Sequence, residues 1–474
     1  MKLKIKFIHL ALLVILGMCT NLGGCHGKIA RNSDYPDILI VLVDALRADH
    51  LAIYGYTLNT APFFTRWAEK GVVFENVISQ SSWTKSSVAS LFTSSYPSVH
   101  GVFTSPELDD PERFFNEKDV LSPHALTLAE ILESKKYQMA GFSTNHHISP
   151  LTGFQQGFDL LKVVDVEYVV HKPWGNRVND AFIKWARHLK SDMPFFAYLH
   201  YMDVHGPYIP PSPYKETFMN YHKSHPLRLL TDEEYEKLRY LKLDTKVLNE
   251  YKALYDAQIL YWDYFFSELW AKIAEMGLDR NLIVIVIADH GEAFFEHGYC
   301  DHGYGLHIEE LRVPMVFYMP NRLKNGRIKN TAALVDVAPT ILEMLGIDKP
   351  KQWEGESLWR LFQGDELKPR RIFSELDIPV RGRYVSFIED NKHWIYNLQN
   401  EELEFVYDLE NDPLEDHNLL EKISKKEKLE VEEIFRNWLE EEKSKKIPPP
   451  HVRPNIKLNK RDLKVLQALG YVNE

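Results

Sequence analysis

The run Ile38-Leu39-Ile40-Val41-Leu42-Val43 contains no polar residue and is rich in β-branched side chains. Such a segment fits as a strand covered on both faces, the condition met inside a parallel sheet. Phe195–Leu199 and Leu282–Ala288 have the same character, and Met139–Phe142 and Met315–Tyr318 are weaker examples. Between them lie stretches with helical periodicity: Ala61–Lys70, Ala125–Lys135, Val178–Lys190 and Glu250–Met276. Strand–helix alternation of this kind predicts an α/β fold, a mainly parallel central sheet flanked by helices. At 474 residues and 45% hydrophobic, the chain can bury a large core with a smaller domain attached. We place the large domain at 37–365. Residues 207–250 interrupt the alternation with Pro207, Pro210, Pro211 and Pro213 and then a charged segment. They read as an insertion at the mouth of a site, or equally as a plain surface excursion. From 366 to 474 the character changes to short alternating segments, Ile372–Leu376, Tyr384–Ile388, Trp394–Asn397 and Phe405–Leu409. A charged amphipathic helix over about 422–446 and a terminal LQALGYV segment follow, which predicts a smaller α+β domain with antiparallel strands.

The N-terminus carries Lys2, Lys4 and Lys6 ahead of an apolar run from Phe7 to Met18. That run is short for a membrane span and matches a signal-peptide core, so residues 1–24 read as a signal. Leu22-Gly23-Gly24-Cys25 resembles the lipobox of bacterial lipoproteins, which implies cleavage before Cys25, lipidation of that residue and a tether over 25–36. The expectation is an extracytoplasmic protein held to a membrane by its lipid anchor, on the periplasmic or cell-surface side. An ordinary signal peptide with an incidental cysteine is the plainer alternative. Cys19 would leave with the signal, so Cys300 stands alone and no intrachain disulfide is expected. A net charge of −11 without a long basic block argues against a nucleic-acid partner.

In an open parallel sheet, ligands bind beyond the carboxyl ends of the strands. The first strand runs into Asp44, the Leu282–Ala288 strand into Asp289 and His290, the Phe195–Leu199 strand into His200, Asp203 and His205, and Met139–Phe142 into Thr144, Asn145 and His146. Carboxylates with one imidazole suit one divalent cation, Mn²⁺, Mg²⁺, Ca²⁺ or Zn²⁺. Asp44, Asp289 and His290 give three ligands. Thr84, just ahead of the apolar stretch Val88–Phe92, can add a hydroxyl, and a hydroxyl on a divalent cation becomes a usable nucleophile. A helix N-terminus there also favours an incoming phosphate or sulfate. Read locally, a plain helix cap is the commoner role for Thr84 or Ser86, and the resemblance below reverses that weighting.

Longer segments carry a resemblance. DILIVLVDALRADHLAIYGY at 37–56, SSWTKSSVASLFTSSYPSVHG at 81–101, VIADHGEAFFEHG at 286–298 and DHGYGLHIEELRVPMVF at 301–317 resemble the sulfatases of the alkaline-phosphatase superfamily. DVAPTILEMLGI at 336–347 and VYDLENDPLEDHNL at 406–419 are similar to further sulfatase segments. The resemblance implies an alkaline-phosphatase-like core and one divalent metal. It sets Asp44, Asp289 and His290 on metal-ligand positions and Thr84 on the nucleophile. His205 falls on a substrate-anion contact, and His302 falls near a Lys or His that binds the ester oxygens. Asn145 and His146 stand near another anion contact, with Glu292 and His297 as supporting or structural residues.

The departures bear on mechanism. Formylglycine-dependent sulfatases read Cys-x-Pro-x-Arg or begin with Ser, and here the five positions are Thr84, Lys85, Ser86, Ser87 and Val88. Threonine cannot become that aldehyde, and the arginine is missing. An aspartate often paired with the first metal ligand is replaced by Ala45. Threonine is the nucleophile in related phospho-transferases such as lipoteichoic acid synthases and phosphoethanolamine transferases. Three readings follow: a hydrolase of sulfate or phosphate esters working through Thr84, a transferase moving a phosphoryl-linked group onto a glycan or lipid, and a binding lipoprotein without catalysis. A two-metal phosphodiesterase fits less well, because Asp203 and His205 are too close in sequence for the Asp-x-x-x-His pair it uses.

Overall fold

The computed structural model describes residues 33–103, 120–164, 174–219, 245–378 and 382–449. The signal segment, Cys25, residues 220–244 of the expected insertion and the terminal LQALGYV segment lie outside the described residues. Among the described residues, no helix is long and apolar enough to cross a membrane.

An eight-stranded sheet forms the centre. Its spatial order is Gly326–Ile328, Val72–Phe74, Met315–Tyr318, Leu282–Ile287, Asp37–Val43, Phe195–Tyr201, Gln138–Ser143 and Leu160–Val163. All neighbours pair in parallel except at Met315–Tyr318, which runs antiparallel to both of its partners. Strand Asp37–Val43 lies in the middle, and every one of its residues is buried, as the uninterrupted apolar run requires. Two groups of helices flank the sheet. Thr245–Met276 packs with Pro62–Ala68 through Phe64, Trp67, Trp262 and Phe266, and with Trp174–Ala186, whose Asn179 donates to the Phe265 carbonyl. Thr84–Thr93 packs with Val337–Met344. A fully buried side chain of this size contributes ~1.5–3 kcal/mol, so these layers hold the sheet edge rigidly.

The C-terminal sheet is antiparallel throughout, in the order Ile372–Ile378, Gly382–Glu389, Lys392–Asn397 and Glu402–Asp408. Helix Lys425–Lys445 covers it through Phe435, which packs on Phe387 and Tyr396. Trp438 stacks flat on Phe373 at 4.1 Å and meets Tyr96 of the larger unit edge-on. The expected long helix beginning at residue 250 starts at Thr245 instead. Its charged first turn reads as part of the insertion when only apolar spacing is followed.

Register fixes where the polar residues emerge. Leu42 lies opposite His200 on one side and Ile287 on the other, and Ser143 lies opposite His200. Asp44, Asp289 and Asn145 therefore leave neighbouring strands at one edge.

Candidate active site

Asp44, Thr84, Asp289 and His290 meet at that edge, all fully buried. The His290 Nδ1–H donates to the Gly291 carbonyl at 2.8 Å, which leaves a lone pair on Nε2. That nitrogen accepts the Thr84 hydroxyl at 3.1 Å. It also lies 3.6 Å from Asp44 Oδ1 and 3.6 Å from Asp289 Oδ2, and both of these buried oxygens lack a hydrogen-bond partner. The other oxygen of each carboxylate is committed. Asp44 Oδ2 accepts Asn145 Nδ2–H at 2.7 Å and His200 Nε2–H at 2.9 Å, and Asp289 Oδ1 accepts the amides of His290 and Ala45. Two orphaned carboxylate oxygens, an imidazole lone pair and a hydroxyl thus converge. Donors bound ~2.0–2.5 Å from a common cation are separated by distances of this order, so the residues fit a divalent metal. Burial resists charge on both carboxylates. At Asp44 the His200 hydrogen bond and nearby imidazoles outweigh it and hold the carboxyl well below its usual range, whereas burial and the charge of Asp44 push Asp289 up. A cation relieves that conflict.

Backbone constraints keep the ligands in place. Ala45 adopts the left-handed φ of 58°, held by its amide on Asp289 and by the Tyr255 hydroxyl, which donates to its carbonyl at 2.7 Å. Gly291 passes so close to Helix Ile308–Leu311 that an added Cβ would sit 2.0 Å from the Glu309 carbonyl oxygen. Its amide donates to the Glu310 carbonyl at 2.6 Å, tying the His290 loop to that helix.

Thr84 is the first residue of helix Thr84–Thr93, and Trp83 is the N-cap. No side chain caps this helix: Thr84 turns to His290, and Ser86 donates to the Val102 carbonyl at 2.8 Å. The plain capping alternative is therefore set aside for both residues.

His302 lies beside His290, with ring centroids 4.3 Å apart. Its Nδ1 contacts Glu292 Oε1 at 3.1 Å and Asp301 Oδ1 at 2.9 Å, which leaves Nε2–H as its other donor. Burial works against charge on His302, but these two carboxylates outweigh it and push the imidazole well above its usual range. His205 makes an edge contact with His302 at 4.8 Å, and its Nδ1–H donates to the Gly206 carbonyl at 2.7 Å. Burial pulls its pKa down to about 4 against the attraction of Asp44. One imidazole is thus held as a cation and its neighbour neutral, the separation expected of an acid and a base.

Asn145, expected near an anion contact, has its amide nitrogen committed to Asp44. His146 is half-buried beside it, and the buried ring of the pair is His147, 5.5 Å from Trp83. Glu292 supports His302 and accepts the Tyr208 hydroxyl at 2.7 Å. His297 bonds Glu309 at 2.8 Å and stacks flat on His307 at 3.7 Å. Those stacked rings cannot both aim in-plane lone pairs at one point, so the His297–His307–Glu309 grouping is no match for the convergence around His290. Proximity also groups His200 with Asp44 and Asp289, but its Nε2–H is spent on Asp44 Oδ2, which makes it a buttress. Sequence reasoning passed over His200 as a buttress, and Lys85, which is 2% exposed directly after Thr84. Its signal was a charged residue at the head of an otherwise small and apolar helix. Val88, where the family has arginine, is fully buried.

An α/β sheet that delivers two aspartates, an imidazole and a hydroxyl to one buried edge defines a metal-dependent hydrolase of the alkaline-phosphatase type. The chain belongs to the sulfatase family, whose profile matches residues 36–347. A second profile, the C-terminal region of N-sulphoglucosamine sulphohydrolase, matches 295–445. An arylsulfatase of Clostridium perfringens is 24% identical over 83% of this chain and 92% of its own length. An ulvan-active sulfatase of Formosa agariphila is 24% identical over 82% of this chain and 77% of its own. Among solved structures, a protein in complex with its substrate D-glucosamine-2-N,6-O-disulfate superposes with a TM-score of 0.70 at 19% identity, covering 87% of this chain and 98% of that one. A phosphonate monoester hydrolase of Agrobacterium radiobacter gives 0.67 at 16%, covering 86% and 95%. As a member of the sulfatase family the enzyme is a hydrolase of ester bonds, with a buried donor set that fits a divalent metal.

Proposed function

We propose that this enzyme hydrolyses sulfate or phosphate esters carried on glycans, with Thr84 as nucleophile in place of formylglycine. The observation that carries the reading is the Thr84 hydroxyl on His290 Nε2 at 3.1 Å, within the ring of unpartnered oxygens on Asp44 and Asp289. A divalent cation held by Asp44, Asp289, His290 and Thr84 supplies a lowered hydroxyl pKa and charge neutralisation. The chain's own residues do the rest. Thr84 Oγ attacks the sulfur or phosphorus, and its proton passes to a neutral acceptor, the role we assign to His205, which burial holds neutral beside His302. The S–O or P–O bond to the leaving alcohol breaks as His302 delivers its Nε2 proton to that oxygen. Water then attacks the sulfur or phosphorus and gives its proton to His302, and the bond to Thr84 Oγ breaks as His205 returns its proton to that oxygen, releasing the anion.

The glycan is inferred from relatives. Besides the ulvan-active enzyme, an N-acetylglucosamine-6-O-sulfatase of Bacteroides thetaiotaomicron is 22% identical over 85% of this chain and 86% of its own length. A threonine ester lacks the hydrate collapse by which formylglycine expels sulfate. That favours a phosphorus ester, and discharge onto an acceptor alcohol would make the same site a transferase. We also infer that Cys25 is lipidated and holds the enzyme at an extracytoplasmic membrane face.

Thr84→Ala tests the reading. The variant should fold and bind metal with turnover of aryl sulfate, aryl phosphate and aryl phosphodiester probes reduced at least ~10³-fold. Mass spectrometry of the quenched wild type should find the transferred group on Thr84. Unchanged turnover by the variant would refute the nucleophile, and wild type inert towards every probe with every divalent metal would leave the binding-protein reading.

A further inference from the structure

Helix Thr245–Met276 touches the site through Gln258, whose Nε2–H donates to the His205 carbonyl and whose Oε1 accepts the Ile209 amide, each at 3.2 Å. Gln258 therefore pins the loop that bears His205. Three residues on, Tyr261 lies about 60° around the helix from Gln258, and Tyr264 a further ~60°, from the buried side to the exposed one. At 1.5 Å per residue these positions are about 4.5 and 9 Å from Gln258 along the axis, in the direction of the start of strand Leu282–Ile287. These side chains thus wind from the buried site edge to the exposed flank of the protein.

That flank is aromatic and open to solvent. Tyr264 is 45% exposed, and Tyr261 and Tyr214 are half-buried. Tyr214, from the separate short helix Tyr214–Thr217, sets its ring 4.8 Å from Tyr261 and 6.4 Å from Tyr264. Buried Phe265 backs Tyr261 at 4.6 Å, so the cluster is braced from within. Three adjoining tyrosines differ from the scattered single apolar residues of an ordinary surface. Each offers an apolar face with a hydroxyl at its rim. A pyranose ring has the complementary form, C–H groups on its face and hydroxyls around its edge.

We infer that Tyr214, Tyr261 and Tyr264 form a subsite that stacks a non-reacting sugar ring of the glycan ester, outside the metal-centred pocket. This rests on the glycan-ester reading and extends it. The subsite binds the carbohydrate portion irrespective of whether the ester is of sulfur or phosphorus, and small aryl esters bypass it.

The test uses the full chain with Thr84→Ala, so that ligand is bound and not consumed. Binding of chondroitin sulfate and heparin tetrasaccharides is measured by calorimetry before and after Tyr264→Ala and Tyr261→Leu, the latter keeping bulk without the ring. The expected result is binding of at least one tetrasaccharide, weakened roughly three- to tenfold by each change, the scale of one lost aromatic contact. In the Thr84 protein the same two changes should leave aryl ester turnover within about twofold, which also reports that the variants fold. Equal tetrasaccharide affinity with and without the rings would overturn the subsite. So would failure to bind either tetrasaccharide by a protein that turns over aryl esters. Loss of the hydrolase reading shows itself separately, as a Thr84 protein that turns over no aryl ester.

Discussion

His200 donates its Nε2–H to Asp44 Oδ2 at 2.9 Å and thereby decides which oxygen of Asp44 is left for a cation. Tyr198 completes the relay, its hydroxyl 2.8 Å from His200 Nδ1. Because Nε2 must carry the proton towards a carboxylate, Nδ1 is the acceptor of the Tyr198 hydroxyl. Asn145 saturates the same oxygen, and Oδ1 remains unpartnered.

Removing this buttress should weaken the metal more than the fold. His200→Ala is expected to lower affinity for the preferred divalent ion 10–100-fold, the usual scale for a partner that orients a ligand. Calorimetric titration of the metal-free protein measures it. An unchanged dissociation constant would show that Asp44 holds its orientation alone.

Gly291 gives a second, steric route to the same centre. Gly291→Ala must drive Cβ into the Glu309 carbonyl, displacing the loop that carries His290. We expect metal affinity and ester turnover to fall together, with the far-ultraviolet spectrum retained. Gly326→Ala, where an added Cβ meets nothing within 4 Å, is the control and should leave both near wild type.

The acid and base assignments predict a pH profile. His205 titrates at about 4 and His302 well above the ordinary histidine range, so turnover should hold across neutral pH and fall in alkali as His302 loses its proton. Glu292→Gln removes one of the two carboxylates that keep His302 charged. The alkaline limb of kcat/KM should then move to lower pH, by roughly one unit. A limb that stays in place would transfer the proton donor to another group.

His297 bears on stability. Burial opposes its charge, but Glu309 at 2.8 Å and the Glu415 carbonyl at 3.0 Å outweigh this and raise its pKa to about 9. A histidine raised on folding binds its proton more tightly in the native state. Its contribution is fully present below about pH 6.5 and is lost as pH climbs through 9. The melting temperature should therefore drop across that interval, and His297→Gln should flatten this part of the curve while lowering the plateau at pH 6. Identical slopes in the two proteins would exclude His297 as the source.

Much of this was legible in the amino-acid order, for a physical reason. A strand covered on both faces must be apolar without interruption, so Ile38–Val43 and Leu282–Ala288 announced themselves, and Asp44, Asp289 and His290 stood out as the first polar residues beyond them. The reversed direction of Met315–Tyr318 was not legible, since four apolar residues look alike in either orientation. Thr84 was ambiguous in the same way, because a hydroxyl ahead of an apolar helix can serve as cap or ligand. The structure shows that hydroxyl 3.1 Å from His290 and no side-chain cap on the helix. His200 and Asn145 looked like further loop donors until register set both against one oxygen of Asp44. Cys300, left without a disulfide partner in the sequence reading, proves 1% exposed, and burial pushes its thiol well above the usual range.

The position of Asp37–Val43 in the sheet has a consequence for biogenesis. This strand is translated before both of its neighbours, Phe195–Tyr201 and Leu282–Ile287. Until they arrive, a sticky segment with two open edges must wait in an unfinished chain, where stray pairing is a standing hazard. A folding route that keeps the polypeptide extended until Leu282–Ile287 has emerged would suit such an order of assembly.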